Sequence, residues 1–331
     1  MKAIAYHNYG SPDVLKCEEV EKPTPADNEV LIKVRAASVN PADLHLMRGV
    51  PYFFRILFGL RKASITLPGR PGRDVAGRVE AVGRNVTQFK PGDEVFGSCR
   101  GAFAEYVCAS ESALVTKPNN VTFEQAASVP VAACTALQGL RDKGRIQPGQ
   151  KVLINGAAGG VGTFAVQIAK WFGADVTGVC STRNADMVRS IGADRVIDYT
   201  QEDFTKSGQR YDLIFDLVAN HSLLACRRVL NPKGIYIAAG VLSVRGKIGL
   251  LAHLIKPLVL SRFVSQKFVM FVARSSKEDL TILGELMEAK KVTPVIDRRY
   301  KLSEVPQAVR YLEEGHARGK VVITLESNNK T

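Results

Sequence analysis

A glycine-rich turn between a strand pattern and a helix pattern constrains this chain most. Residues 151–155 form a short apolar run, the turn 156–162 follows directly, and apolar residues recur at helical spacing from Val161 to Phe172. Bare backbone at Gly159 and Gly160 would let a pyrophosphate approach, and Gly162 would let the helix pack closely on the strand. Unpaired amides at the start of the helix would bind the negative charge. We predict a dinucleotide site here, with a tight turn that binds nothing as the alternative.

The turn lies in a region where apolar runs alternate with amphipathic segments. Strands are predicted at 151–155, 175–180, 195–199, 211–218 and 234–239. Residues 152–154 and 213–215 show no polar alternation, which is typical of parallel strands that helices cover on both faces. The region therefore predicts an α/β fold with a doubly wound parallel sheet.

The chain on either side of this region has a different pattern. Short strands broken by Gly and Pro are predicted at 30–36, 74–82, 94–96, 104–107, 292–298 and 320–325, with a helix near 303–314. We predict a mostly β, barrel-like domain over residues 1–121 that residues 292–331 complete. The nucleotide-binding domain, 122–291, is then an insertion, and a length of 331 residues suits two domains.

The residues after the second predicted strand of the nucleotide-binding region indicate which nicotinamide cofactor binds. An acid there would hold the ribose 2′-hydroxyl of NAD and repel the 2′-phosphate of NADP. This chain has Ser181, Thr182, Arg183 and Asn184 instead. Two hydroxyls and a guanidinium suit a phosphate monoester, so we predict NADPH, with Arg183 as the main discriminator. Ser181 and Thr182 could also cap a helix over 185–191.

The net charge of +13 is concentrated in two stretches that contain no acid. Residues 44–73 hold six basic residues and residues 241–277 hold seven, so the rest of the chain is neutral. The positive potential of such stretches attracts an anionic cofactor, nucleic acid or an acidic membrane surface. Charges and a proline interrupt the apolar segment 248–273 too often for it to span a membrane. Packed helices are the first interpretation of that segment, and a weak peripheral membrane contact is the alternative.

Three further classes of function or location are constrained by the sequence. No recognised nucleic-acid module is present, so no specific nucleic-acid partner is expected. The six cysteines lie far apart, without a Cys-x-x-Cys pair or clustered histidines, so no metal site is predicted. The first residues do not form a secretory signal pattern, so we expect a cytoplasmic protein.

Motifs along nearly the whole chain share one pattern, at 37–43, 72–77, 91–95, 129–132, 149–170 and 315–320. This pattern resembles the medium-chain dehydrogenase/reductase superfamily, in particular its zinc-free quinone oxidoreductase and zeta-crystallin branch. The chain is most similar to plant enone oxidoreductases and chloroplast-envelope quinone oxidoreductase homologues, which share residues 181–184 and Asp198-Tyr199. The resemblance implies a GroES-like catalytic domain and a Rossmann domain.

The turn and the resemblance together nominate site residues. Asn40, Asp43 and Thr135 match positions that line the cleft between domains, and His45 replaces a cofactor-binding lysine of the plant relatives. The cofactor-binding candidates are His45, Ala158, Gly159, Gly160, Val161, Ser181, Thr182, Arg183, Asn184, Tyr199, Val218, Ala239, Gly240 and Val241. The resemblance also implies a homodimer in which strands 234–239 of two subunits extend one sheet.

Zinc ligands of the superfamily's alcohol dehydrogenases are replaced in this chain. Asn40 occupies the place of the first cysteine, and Arg73 replaces the histidine before Asp74. Without a Lewis acid, hydride delivery to an electron-poor acceptor is easier than alcohol oxidation. We therefore predict reduction of a quinone or of the β-carbon of an α,β-unsaturated carbonyl. Asn40, the cofactor ribose or Tyr52 could donate to the carbonyl oxygen, and Tyr52 or solvent could supply the proton.

Two rival functions are consistent with parts of the sequence. One is an NAD(P)-dependent alcohol dehydrogenase. The other is an NADPH-responsive protein that binds RNA or a membrane surface through the two basic stretches. The aromatic cluster 52–58 either forms an apolar lip over the cleft for a flat hydrophobic substrate or packs between loop and barrel.

Overall fold

The computed structural model describes residues 1–49, 69–239 and 265–325. The chain divides into two compact units, a first unit of Met1–Val131, Ser275–Ala289 and Pro294–Thr331, and a second unit of Ala132–Arg274 and Lys290–Thr293. These bounds differ from the sequence-based ones, 121 and 292. The first unit extends to Val131 because a helix at Phe123–Ala127 packs on its strands. It includes Ser275–Ala289 because the helix there packs on another of its strands.

The strands of the described ranges are numbered in chain order. They are β1 (Lys2–Ala5), β2 (Lys16–Glu19), β3 (Glu29–Val39), β4 (Asp74–Val82), β5 (Glu94–Ser98), β6 (Tyr106–Ser110), β7 (Leu114–Thr116), β8 (Lys151–Asn155), β9 (Asp175–Cys180), β10 (Arg195–Asp198), β11 (Tyr211–Asp216), β12 (Leu230–Ala239), β13 (Lys267–Phe271), β14 (Ile296–Lys301) and β15 (Lys320–Thr324).

The α-helices of the same ranges are short, and several have a side-chain cap. They are α1 (Pro41–Met47), α2 (Phe123–Ala127), α3 (Pro130–Gln138), α4 (Gly160–Trp171), α5 (Ala185–Ser190), α6 (Leu223–Arg228), α7 (Lys277–Glu288) and α8 (Val305–Glu313). Thr122, Ser222 and Ser276 accept a hydrogen bond from the first turn of α2, α6 and α7, which satisfies amides that would otherwise lack a partner. No helix in the described ranges combines the length and the apolar character that crossing a membrane requires.

The first unit is built around the long strand β3. Its sheet has the order β14-β15-β3-β4-β5-β7. One edge of β3 has two partners, because β6 pairs with its first half and β15 with its second half. All of these pairings are antiparallel except that of β14 with β15. Its core is mostly aliphatic and includes Val305 and Val309 from α8. The predicted β-rich domain of GroES-like type is confirmed.

The second unit is the predicted doubly wound α/β domain. Its six strands are all parallel, in the order β10-β9-β8-β11-β12-β13. This is the Rossmann order, in which the chain starts at a central strand and builds first to one side and then to the other. Such sheets bind ligands at the carboxyl ends of the strands, where the direction of building reverses. That point lies between β8 and β11.

The strand proposed for the subunit interface, 234–239, does not lie at the edge of the sheet, so this detail of the prediction is wrong. It belongs to β12, which pairs with β11 on one side and with β13 on the other. Within the described residues the strand at this edge is β13, whose Val269, Met270 and Phe271 are half-buried. The apolar segment 248–273 was interpreted as packed helices, which is wrong for the part that forms β13.

Candidate functional site

The turn between β8 and α4 leaves backbone without covering side chains. The helix begins at Gly160 with Gly159 as its N-cap residue, and no side chain caps this end. A Cβ on Gly162 would lie 2.0 Å from the carbonyl oxygen of Gly156, so the close packing of helix on turn requires glycine. A Cβ on Gly159 would meet only that oxygen, at 3.4 Å. This bare helix start fits a pyrophosphate.

The carboxyl end of β9 carries the residues predicted to bind the 2′-phosphate. Thr182 and Arg183 are exposed, whereas Asn184 is buried and its Nδ2 donates to Ser181 Oγ at 3.1 Å. Asn184 Oδ1 is buried and has no hydrogen-bond partner in the described structure. An unpaired buried acceptor is costly, and a ribose hydroxyl would satisfy it. The end of β9 therefore fits the ribose of an adenosine moiety.

The alternative role of Ser181 and Thr182 as helix caps is wrong. Neither hydroxyl caps the turn at Thr182–Asn184, and Asn184, which precedes α5, makes no side-chain cap either. Thr182 Oγ1 instead donates to Asp198.

Asp198 is an acid beside this site whose proximity was not predicted. It ends β10 in register with Cys180 of β9, and its carboxylate also accepts from the backbone and hydroxyl of Thr200 at 2.9 and 2.8 Å. The hydrogen bond from Thr182 is the main reason that the pKa of Asp198 lies below its ordinary value. Because Thr182 gives its proton to Asp198, Ser181 and Arg183 are the better phosphate donors of the predicted set.

Asn40 and Asp43 lie in the first unit and are both 2% exposed. Each carboxylate oxygen of Asp43 accepts a backbone amide, Oδ2 from Asn40 at 2.9 Å and Oδ1 from Gly72 at 3.0 Å. Burial raises the pKa of Asp43 to about 6. Asp43 therefore fixes the start of α1 against the residues before β4.

Asn40 is part of a buried charged cluster with Asp74 and Lys320. Lys320 Nζ donates to Asn40 Oδ1 at 2.7 Å and lies 3.6 Å from Asp74 Oδ2. Asn40 Nδ2 donates to that Asp74 oxygen at 2.8 Å and to the Ser38 carbonyl oxygen at 3.4 Å. Burial lowers the pKa of Lys320. The polar atoms of Asn40 are thus all engaged, and its role as a donor to substrate stays a prediction.

Comparisons with known proteins place the chain in a family. The model described as "Alcohol dehydrogenase GroES-like domain" matches residues 26–119, and the one described as "Zinc-binding dehydrogenase" matches residues 191–323. The 2-methylene-furan-3-one reductase of Solanum lycopersicum is 36% identical over 98% of this chain and 79% of that protein. The chain belongs to the medium-chain dehydrogenase/reductase superfamily.

Two further relatives of this medium-chain dehydrogenase/reductase are informative. The chloroplastic NADPH-dependent alkenal/one oxidoreductase of Arabidopsis thaliana is 35% identical, over 98% of this chain and 79% of that protein. The structure of the quinone oxidoreductase from Coxiella burnetii matches with a TM-score of 0.86 and 32% identity, covering 98% of this chain and 99% of that one. The predicted resemblance to enone and quinone oxidoreductases is confirmed.

The metal-ligating side chains of this medium-chain dehydrogenase/reductase are scattered. Within residues 1–49, 69–239 and 265–325, no three His, Cys, Asp or Glu side chains lie together in a group that could hold a metal ion. Burial raises the pKa of Cys99, and it raises that of Cys108 to about 11. A thiol coordinates a metal as the thiolate, which these surroundings disfavour.

The predicted site residues of the medium-chain dehydrogenase/reductase fall into three groups. In the second unit, the candidates at the carboxyl ends of neighbouring strands are the glycine turn, residues 181–184, Tyr199, Val218 and the buried Ala239, which is the last residue of β12. Thr135 is half-buried on α3. In the first unit, His45 is half-buried on α1, and burial lowers its pKa. Tyr52, Gly240 and Val241 lie outside the described residues.

Proposed function

We propose that the protein is an NADPH-dependent oxidoreductase that transfers a hydride to a quinone or to the C=C bond of an α,β-unsaturated carbonyl. The observation that carries this proposal is the bare start of α4 beside the end of β9. There, a buried Asn184 oxygen without a partner and the neighbouring Arg183 and Ser181 suit a phosphorylated adenosine ribose. Two relatives support the acceptor class, since one is named as a 2-methylene-furan-3-one reductase and the other as an NADPH-dependent alkenal/one oxidoreductase.

The chain's own residues have distinct roles in this proposal. Backbone amides at 160–162 hold the pyrophosphate, and Gly159 leaves room for it. Arg183 and Ser181 bind the 2′-phosphate, while Asn184 Oδ1 accepts from the ribose. Bound there, NADPH supplies the hydride. Val218, which is 46% exposed, supports the nicotinamide half.

We further propose that the reaction needs no zinc. Asn40 stands where zinc alcohol dehydrogenases have a cysteine, and its side-chain oxygen already accepts from the Lys320 ammonium at 2.7 Å. An amide oxygen engaged in this way is a much poorer zinc ligand than a thiolate. Delivery of the hydride to a conjugated acceptor also needs no metal alkoxide.

Tyr52 and solvent are the two candidate sources of the proton. Addition of a hydride to the β-carbon leaves an enolate, which one proton converts to the saturated carbonyl. Tyr52 is a phenol in an apolar, aromatic segment of the sequence, which makes it a candidate donor.

A homodimer and a cytoplasmic location are also proposals. The apolar strand β13, with a strand partner on one side only in the described structure, supports sheet extension between two subunits better than β12 does. Sedimentation of the purified protein and fractionation of cells test these two proposals.

An NAD(P)-dependent alcohol dehydrogenase is the second candidate. The match to the zinc-binding dehydrogenase model favours it, as does a 27% identical structure titled as an NAD-dependent alcohol dehydrogenase. The exposed Arg183 and the absence of an acid from residues 181–184 argue instead for NADPH and reduction.

A panel of acceptors separates the two functions. Oxidation of NADPH and of NADH is followed with quinones, enones, alkenals and simple aldehydes, and alcohols are tested in the reverse direction, together with metal analysis of the protein. We expect turnover with conjugated acceptors and NADPH, slow alcohol oxidation and no stoichiometric zinc. Fast alcohol oxidation by a zinc-containing protein would contradict the proposal.

A further inference from the structure

A buried carboxylate closes the end of β11. Asp216 is fully buried and accepts four hydrogen bonds. Its Oδ1 accepts from Asn155 Nδ2 at 2.9 Å and from the backbone amides of Val218 and Ala219 at 3.0 and 2.8 Å. Its Oδ2 accepts from the hydroxyl of Tyr236 at 2.8 Å. All four donors are neutral groups, so the carboxylate is held by aligned dipoles.

These hydrogen bonds connect three adjacent strands at the ligand-binding edge of the sheet. Asn155 is the last residue of β8 and precedes the glycine turn directly, while Tyr236 lies in β12 and is 2% exposed. Asn155 also donates to Asn220 Oδ1 at 2.9 Å, and its carbonyl oxygen accepts from Leu217 at 3.1 Å. The turn 217–220 is therefore bonded at both ends to the strand that carries the glycine turn.

The conformation of the 217–220 turn depends on these contacts. Ala219 has a φ of 55°, a left-handed conformation that is unfavourable for alanine. Asp216 bonds the amide of this residue and that of Val218 before it. A Cβ on Gly156 would lie 2.9 Å from Val218 Cγ2, so the Val218 side chain lies directly against the glycine turn. Nearly half of that side chain is nevertheless exposed.

The position of the turn in the sheet indicates which half of a dinucleotide it would meet. β8, β9 and β10 form one mononucleotide-binding half of the sheet, and β11, β12 and β13 form the other. A dinucleotide held with its pyrophosphate at the start of α4 and its adenosine at β9 has its nicotinamide half on the β11 side. The turn 217–220 follows β11 at this switch point.

We propose that Asp216 and Tyr236 are positioning residues that hold the 217–220 turn as a preformed support for the nicotinamide half of NADPH. This inference rests on the proposed function. In this inference, the Asp216 carboxylate holds the turn through two backbone amides, and the Tyr236 hydroxyl holds the carboxylate. Neither side chain contacts the cofactor.

Two variants distinguish the effect of the Asp216 charge from that of the Tyr236 hydroxyl. Asp216→Asn retains Oδ1 for its three donors and removes the charge, and the new amide can donate to a rotated Tyr236 hydroxyl. Tyr236→Phe retains the charge and leaves Oδ2 without its donor. Tyr211→Phe is the matched control, because Tyr211 is also buried in this sheet but lies at the opposite end of β11 from Asp216.

Binding of NADPH and of 2′,5′-ADP, which represents the adenosine half alone, is measured by calorimetry, with the melting temperature of each variant. We expect Asp216→Asn to raise the Kd for NADPH about tenfold, since three charge-assisted bonds become neutral ones. Tyr236→Phe should raise it by a smaller factor. The Kd for 2′,5′-ADP should stay within about twofold in both variants, and Tyr211→Phe should change neither ligand, because its site is distant and independent.

Equal weakening of NADPH and 2′,5′-ADP would overturn the inference, because it would indicate general damage to the second unit. An unchanged Kd for NADPH in a folded variant would also overturn it. If Asp216→Asn does not fold, Tyr236→Phe decides the question alone. Failure of the wild-type protein to bind either ligand would refute the proposed function itself, a result that the variants cannot produce.

Discussion

Replacement of Gly162 by alanine tests whether the glycine turn is required for folding as well as for binding. The added Cβ would lie 2.0 Å from the Gly156 carbonyl oxygen and 2.8 Å from Cα and the carbonyl carbon of Ala157. These are backbone atoms next to β8, so the helix must move away. Overpacking of this kind costs about 2 kcal/mol or more. For a domain the size of the second unit, that corresponds to a fall in Tm of roughly 4–8 °C.

Gly159→Ala is the matched control for Gly162→Ala. Its Cβ would meet only the Gly156 oxygen, at 3.4 Å, and an N-cap position accepts alanine at a cost of about 1 kcal/mol or less. We expect a fall in Tm of at most about half that of Gly162→Ala, but a large loss of NADPH affinity, because the methyl group occupies the space for the pyrophosphate. Calorimetric melting and NADPH titration of both variants give the comparison. Equal Tm values for the two variants, or full NADPH affinity in Gly159→Ala, would refute this reasoning.

Three further substitutions have defined outcomes. Arg183→Ala should raise the Kd for NADPH about tenfold or more and leave that for NADH nearly unchanged, because the lost bonds go to the 2′-phosphate; an unchanged preference refutes the phosphate role. Asp43→Asn should destabilise the protein by about 1–3 kcal/mol, since an amide group would face a backbone amide of Asn40 or Gly72. The pKa of Asp43 is raised to about 6 in the folded state. Its protonation therefore adds to the free energy of unfolding in full below about pH 4, and this stabilisation is lost as the pH rises through 6. In denaturant melts, the difference in the free energy of unfolding between wild type and Asp43→Asn should therefore shrink from pH 4 to pH 7. A difference that grows over this range would contradict the reasoning. Lys320→Met should cost about 3 kcal/mol by leaving Asp74 without its cation, and adding Asp74→Asn should recover much of it; a double variant no more stable than the single one contradicts this.

Strand positions were predictable where burial on both faces makes the sequence continuously apolar. β8 and β9 have the predicted bounds because nearly every residue in them is buried. β14 was predicted at 292–298 but spans Ile296–Lys301. The backbone of Thr293 bonds the side-chain amide of Gln167 through both its N–H and its carbonyl, at 2.7 and 3.0 Å, so a side chain replaces the strand partner expected there. The periodicity of the sequence does not show that a side chain takes the place of a neighbouring strand.

Site residues were predictable where the signal is local. The glycine turn and residues 181–184 follow directly from a strand pattern, so both could be proposed as binding residues from the sequence alone. Asp198 and Lys320 lie in motifs of the resemblance, but their contacts, and those of Asp216, were not predicted, because strand order brings these residues to partners distant in sequence. Asp216 is the last residue of an apolar strand, and the sequence does not show whether an acid at that position is buried or exposed.

Transfer of deuterium tests the central proposal most directly. The protein is incubated with a metal chelator, an α,β-unsaturated ketone and NADPH labelled with deuterium on one or the other face of nicotinamide C4. We expect the saturated ketone to carry deuterium at its β-carbon with one of the two labels, with one NADP⁺ formed for each product molecule. Absence of labelled ketone with both labels, or activity that returns only when zinc is added, would contradict the proposed reaction.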